Sequence, residues 1–175
     1  MSAEKAAFEA LNQSITALRE AGVPLEELAE YVPRRPRLLG SSRAHFRSRG
    51  QVWHLGVLLV SPDGTVYSTG ASTRAVRPRH PNNQSVSAEA RRHFRDTAFK
   101  GPFAEGATLN YDVRPVDFTA LGLRDPLGAV FESRGRLLVR WRPGADETNS
   151  IPFADYMAEK VALAVASRHP FIENP

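Results

Sequence analysis

QVWHLGVLLV, residues 51–60, is the stretch on whose reading the fold turns. Apolar side chains fall on both faces of an extended chain, which predicts a central strand buried on two sides. Ser61-Pro62-Asp63-Gly64 is turn chemistry, and TVYSTG, residues 65–70, returns as the partner strand. The strand that lies beside Trp53–Val60 then fixes the sheet order.

Towards the N-terminus, Ala3, Ala7, Leu11, Ile15 and Leu18 recur at helical spacing, and Gly22 closes that helix. Pro24 opens a short second helix, PLEELAEY. PRRPRLLGSSRAHFRSRG, residues 33–50, carries two prolines, two glycines and a serine pair, and reads as irregular. It has six arginines and no acid, and is expected to be a flexible linker or a subunit-crossing arm.

Towards the C-terminus, Ser85 or Ser87 can cap a helix on which Ala90, Phe94 and Ala98 share a face. Gly101 and Pro102 stop it. ATLNYDVRPVDF, residues 107–118, reads as a third strand. LGAVFE and RLLVRWR, joined by Ser133-Arg134-Gly135, form a second hairpin. Leu137, Val139 and Trp141 mark its buried face, and Arg136, Arg140 and Arg142 its outer face. Ser150 and Pro152 start a last helix with Phe153, Met157, Val161 and Val165 at spacing four.

These elements give an α+β fold in one domain, a five-stranded sheet flanked by helices, in the order α-α-β-β-α-β-β-β-α. The chain divides into N-terminal helices over residues 1–32, a basic arm over 33–50 and an α+β core over 51–175. Two architectures share this order. One is a mixed sheet with strands 2-1-3-4-5, as in cytidine deaminases. The other is an antiparallel sheet 2-1-5-4-3 of the PAS, roadblock or profilin kind.

The chain has no cysteine, which removes disulfides, thiolate zinc sites, iron–sulfur clusters and cysteine nucleophiles together. The opening residues are not patterned as a secretory signal, and VLLV is far short of the roughly 20 residues a membrane span needs. A soluble, cytoplasmic protein with no membrane partner is expected. Net charge is +4 but uneven: −4 over residues 1–30, +10 over 31–100 and −2 over 101–175. The middle is therefore the anion-attracting part. Twenty of the 23 basic residues are arginine, the better fork for phosphate or carboxylate. GC-rich coding is the favoured account of that ratio, so only the clustering calls for a structural reason.

GVLLVSPDGTVYSTGAST, Gly56 to Thr73, resembles the first hairpin of the cytidine and tRNA deaminases. In that family His or Cys, one residue, then Glu opens the next helix, and Pro-Cys-x-x-Cys follows the third strand. Here Ser87-Ala88-Glu89 stands in the first place and Pro115-Val116-Asp117-Phe118-Thr119 in the second, 28 residues on. The resemblance implies zinc-ligand positions at Ser87, Val116 and Thr119. A valine cannot ligate, and hydroxyls are poor zinc ligands beside imidazole and thiolate. Without zinc, water keeps a pKa far above the value of about 7 that the metal gives it, a loss of roughly 12 kcal/mol in making hydroxide at neutral pH. The resemblance thus implies a zinc-less, non-catalytic relative, with Glu89 at the proton-shuttle position and no metal or cofactor. Without the resemblance, Ser87 and Glu89 are ordinary helix-start chemistry.

No His-Glu-x-x-His spacing, Gly-x-Ser-x-Gly elbow or glycine-rich nucleotide loop occurs. The strongest constellation is basic: Arg74, Arg77 and Arg79 precede the helix that carries Arg91, Arg92 and Arg95. Arg74, Asn83, Ser87 and Arg91, with Glu89 nearby, are the candidate holders of a small phosphate or carboxylate at a helix start. A solvated arginine-bearing surface is the plainer reading of the same residues. The expected function is a non-catalytic binding or assembly module, a homo-oligomer by its arginine arm and the arginine face of RLLVRWR. Two other classes stay open: an enzyme using Glu89 or His54, and a nucleic-acid accessory using residues 33–50.

Overall fold

The computed structural model describes residues 3–37, 40–77, 86–118, 128–142 and 144–168. In chain order the elements are α1 (Ala3–Glu20), β1 (Glu26–Val32), β2 (Arg35–Arg37), β3 (Gly40–Ser42), β4 (His45–Leu55), β5 (Leu58–Val60), β6 (Val66–Ser68) and β7 (Ala71–Arg74). They continue with α2 (Val86–Phe99), β8 (Thr108–Tyr111), β9 (Arg114–Pro115), β10 (Val130–Ser133), β11 (Arg136–Val139), β12 (Ile151–Pro152) and α3 (Phe153–Ala166). The protein is α+β, with a mixed sheet and three helices among the described residues. Its contacts fall into two compact units, one of Met1–Leu25, Trp53–Ser68 and Arg114–Pro175, the other of Glu26–Val52 and Thr69–Val113.

The first unit holds the antiparallel ladder that runs from the last residues of β4 through β5 and β6 to β9. Trp53 pairs with Val60 and Leu55 with Leu58, so residues 51–60 are not one strand. Gly56, at φ +67°, turns the chain back within two residues. Only the first turn residue has positive φ, the pattern of a type II′ hairpin turn. The expected turn at residues 61–64 is present. Ser61 Oγ donates to the Asp63 carboxylate, which also accepts from the Thr65 amide at 2.9 Å. Those hydrogen bonds, Ser61 first, hold the Asp63 carboxyl below its ordinary range.

β10, β11 and β12 form a separate antiparallel sheet in this unit. Its hairpin turns at Arg134 and Gly135, both at positive φ, as a type I′ turn requires. Leu137 and Val139 are buried as their alternation predicts, but so is Leu138. β11 ends at Val139, and Trp141 stands 48% exposed with its indole N–H on the Asn149 carbonyl at 2.9 Å. Two-sided covering of this short strand, not a wet outer face, decides the pattern. The core joins α1 residues Leu11 and Leu18 to Trp53, Leu58, Val60, Phe153 and Met157. Both terminal helices bury the positions their periodicity marks, Ala7, Leu11, Ile15 and Leu18 in α1 and Phe153, Met157 and Val161 in α3.

The second unit orders its strands β7-β8-β1-β4. β7 is antiparallel to β8, β8 is parallel to β1, and β1 is antiparallel to β4. The segment expected to form a short second helix is therefore the strand β1. Glutamate, leucine and alanine favour helix locally, but pairing on both edges outweighs a preference of a few tenths of a kcal/mol per residue. The expected irregular arm likewise contributes strands. β2 pairs antiparallel with β3, and residues from His45 on pair with β1. Its prolines do not obstruct this, because Pro36 lies in a two-stranded ribbon where a missing amide is tolerated. The register skips Arg49 between Leu28↔Gly50 and Ala29↔Ser48, a bulge that Gly50 accommodates at φ +114°.

The expected third strand, residues 107–118, is two strands. It breaks at Asp112, at φ +55°, between β8 and β9. The strand order is neither of the two anticipated: β4 has β1 and β5 as neighbours. The core of the second unit is Ala29, Phe46, Ala75, Ala98, Leu109 and Tyr111, with Tyr31, Phe94 and Phe103 packed against it.

Candidate functional site

A cleft of about 310 Å³ opens in the second unit, lined by Ser72, Thr73 and Arg74 of β7, Arg91, Phe94 and Arg95 of α2, and Thr108 and Tyr111 of β8. Its basic wall follows from helix geometry. At 100° per residue, Arg91 and Arg95 lie one turn apart on one side of α2, with Phe94 and Ala98 beside them. Ala98 and Thr97 are buried, which turns this side of the helix towards the sheet. The Arg91 Nε–H donates to the Ser87 carbonyl at 3.2 Å, and the Arg74 guanidinium to the Gly106 carbonyl at 3.2 and 3.4 Å. Among the described residues none of the three arginines meets a carboxylate.

The floor is aromatic. Phe94 and Tyr111 lie 5.2 Å apart, Tyr111 meets Phe46 at 5.1 Å, and Tyr31 meets Phe94 at 4.9 Å. The Tyr31 hydroxyl shares a 2.9 Å hydrogen bond with His93 Nε2. Burial, with smaller contributions from Asp112 and Tyr31, raises the Tyr111 phenol above its ordinary value. Tyr111 therefore stays a neutral phenol well beyond neutral pH.

Of the candidate residues, the cleft brings Arg74 and Arg91 together. Ser87 lies in the first turn of α2, exposed, and its carbonyl holds Arg91. Glu89 is exposed and sits about 200° around the helix from Arg91, on the side away from the cleft. Asn83 lies outside the described residues, as do Arg79, Ser85 and Thr119. Arg95 was named in the basic constellation but not among the anion holders, and Phe94, Ser72, Thr73, Thr108 and Tyr111 were not singled out as site residues from sequence. The four-residue step from Arg91 to Arg95 is the one local signal that marks a member of this set.

The other candidate chemistry has local occupants. Among the described residues no cluster of three or more His, Asp or Glu side chains is placed to hold a metal ion. Val116, the second of the would-be zinc positions, ties its amide to the Val66 carbonyl at 2.8 Å in the first unit. His54 Nε2 bonds the Gly56 carbonyl at 3.1 Å within its own hairpin. Arg47 and Arg49 of β4 face Glu30 of β1, at 3.9 and 2.8 Å. Arg136 lies 3.9 Å from Glu147, and the Arg140 guanidinium covers the Phe131 ring at 3.8 Å. Arg47, Arg49 and Arg136 thus have acidic neighbours outside the cleft. No helix of the described residues is long and apolar enough to cross a membrane. No known protein family, curated protein or solved structure matches the chain.

Proposed function

We propose that this protein is a non-catalytic binding module whose second unit holds an anion between α2 and β7. One observation carries the reading: Arg74, Arg91 and Arg95 line one cleft without a described acidic partner. Guanidinium groups grip carboxylate or phosphate by paired hydrogen bonds, and Ser72, Thr73, Thr108 and Tyr111 add hydroxyls. Among the described residues no carboxylate or imidazole lines the cleft. A nucleobase platform is disfavoured. Tyr111 is only 5% exposed and packs on Phe46 and Phe94, which leaves its ring little free face for stacking.

Titration calorimetry with inorganic pyrophosphate, on the wild type and on R91A/R95A, tests the reading. A saturable response below about millimolar, weakened at least about tenfold in the double variant, is the expected result. A flat titration at low salt removes the proposal.

A further inference from the structure

Successive residues of a strand point to opposite faces of the sheet. Ser72, Thr73 and Arg74 are consecutive in β7, yet all three line the same cleft. Backbone as well as side chains of β7 therefore border the cleft, with Thr108 and Tyr111 of β8 behind it, so the cleft takes in the β7 end of the sheet and not one face alone.

That edge is open among the described residues. β7 ends the strand order of its unit and is hydrogen-bonded to β8 alone. The Ala75 amide donates to the Ala107 carbonyl at 2.9 Å, which sets the phase of the ladder. Antiparallel pairs alternate between bonded and non-bonded. Ala71 and Thr73 therefore direct their backbone groups to β8, and Ser72 and Arg74 direct theirs outwards. The Arg74 carbonyl accepts from the Val76 amide at 2.9 Å. The Ser72 amide and carbonyl and the Arg74 amide then point away from β8, along the edge that borders the cleft.

Resting on the anion reading above, we infer that the ligand is an extended acidic peptide segment that adds to β7 as a further strand. Its backbone pairs with Ser72 and Arg74, and its acidic side chains meet Arg91 and Arg95. The four residues of β7 offer an edge of roughly 14 Å, enough for three or four ligand residues. Arg91 and Arg95 are separated by about 6 Å along the helix. Alternate residues of a strand are separated by about 6.8 Å. An acid-x-acid pattern therefore suits this pair of arginines. A compact anion would use the arginines and leave the strand edge unpaired.

The test is fluorescence anisotropy with a labelled Val-Glu-Val-Glu-Val peptide, beside the same peptide with its internal amides N-methylated. Methylation keeps the charge and removes the donors that strand pairing needs. The expected result is saturable binding of the unmodified peptide, weakened at least about tenfold both by N-methylation and by R91E/R95E. Slowed amide exchange at Ser72 on saturation supports the same conclusion. Equal binding of the two peptides overturns the inference and leaves the anion reading standing. So does binding of pyrophosphate without binding of peptide. Failure of both ligands removes both.

Discussion

Tyr156 is 1% exposed, yet its phenol oxygen serves two backbone groups. It donates to the Leu55 carbonyl at 2.9 Å and accepts from the Val57 amide at 2.8 Å. These residues flank Gly56, and a Cβ at Gly56 would run into the same hydroxyl. One side chain on α3 thereby clamps the two-residue turn that splits residues 51–60 into β4 and β5. Replacing Tyr156 with Phe keeps the ring and strips both backbone partners. The expected loss is about 1–3 kcal/mol, because buried groups left unpaired carry their full desolvation cost. Urea unfolding should show a lower midpoint with an unchanged slope. A midpoint equal to wild type contradicts this account of the turn.

At the level of elements, Phe46 separates two readings of residues 33–50. In a mobile arm its removal would be nearly neutral. In the structure it is 2% exposed, 5.2 Å from Tyr31 and 5.1 Å from Tyr111. Phe46→Ala is therefore expected to cost about 3–5 kcal/mol, as large-to-small core changes do. Chemical denaturation monitored by near-UV ellipticity should report both the lowered midpoint and the loosened aromatic cluster. The hairpins at Gly64 and Gly135 and the two terminal helices were legible, since turn residues and period are written in adjacent positions. β1 was not. Its sequence suits a helix, and only partners some twenty and eighty residues away make it a strand. The same holds for the cleft. Arg91 and Arg95 announce themselves by helical spacing, whereas Thr108 and Tyr111 join them only through the pairing of β7 with β8.

Across the whole molecule, charge and titration set the response to pH. Burial raises the phenols of Tyr111 and Tyr156 above their ordinary values. A phenol whose folded pKa exceeds its unfolded value of about 10 loses its proton first in the unfolded chain. Its contribution is fully present below that unfolded pKa and is lost as pH rises through the folded one. Stability should accordingly fall as pH climbs above about 10, and Tyr156→Phe should lessen the slope of that fall. Unfolding midpoints measured across pH 9 to about 11.5 check the sign. An identical slope in the variant counts against Tyr156 as a source. The basic block over residues 31–100 takes on meaning at this scale as well. Glu30 of β1 engages Arg47 and Arg49, while Arg74, Arg91 and Arg95 face the cleft.

By itself the sequence determined the α+β class, the two long terminal helices, the turns at residues 61–64 and 134–135 and the lack of thiol chemistry. Each of these depends on residue type and short-range spacing, which the chain displays directly. Tertiary structure alone decided that residues 26–32 and 45–50 become strands and that β7 ends a sheet beside two arginines of α2. Those outcomes depend on backbone hydrogen bonds between segments far apart in sequence. Such bonds outweigh local preference and leave no periodic trace in the residues that make them.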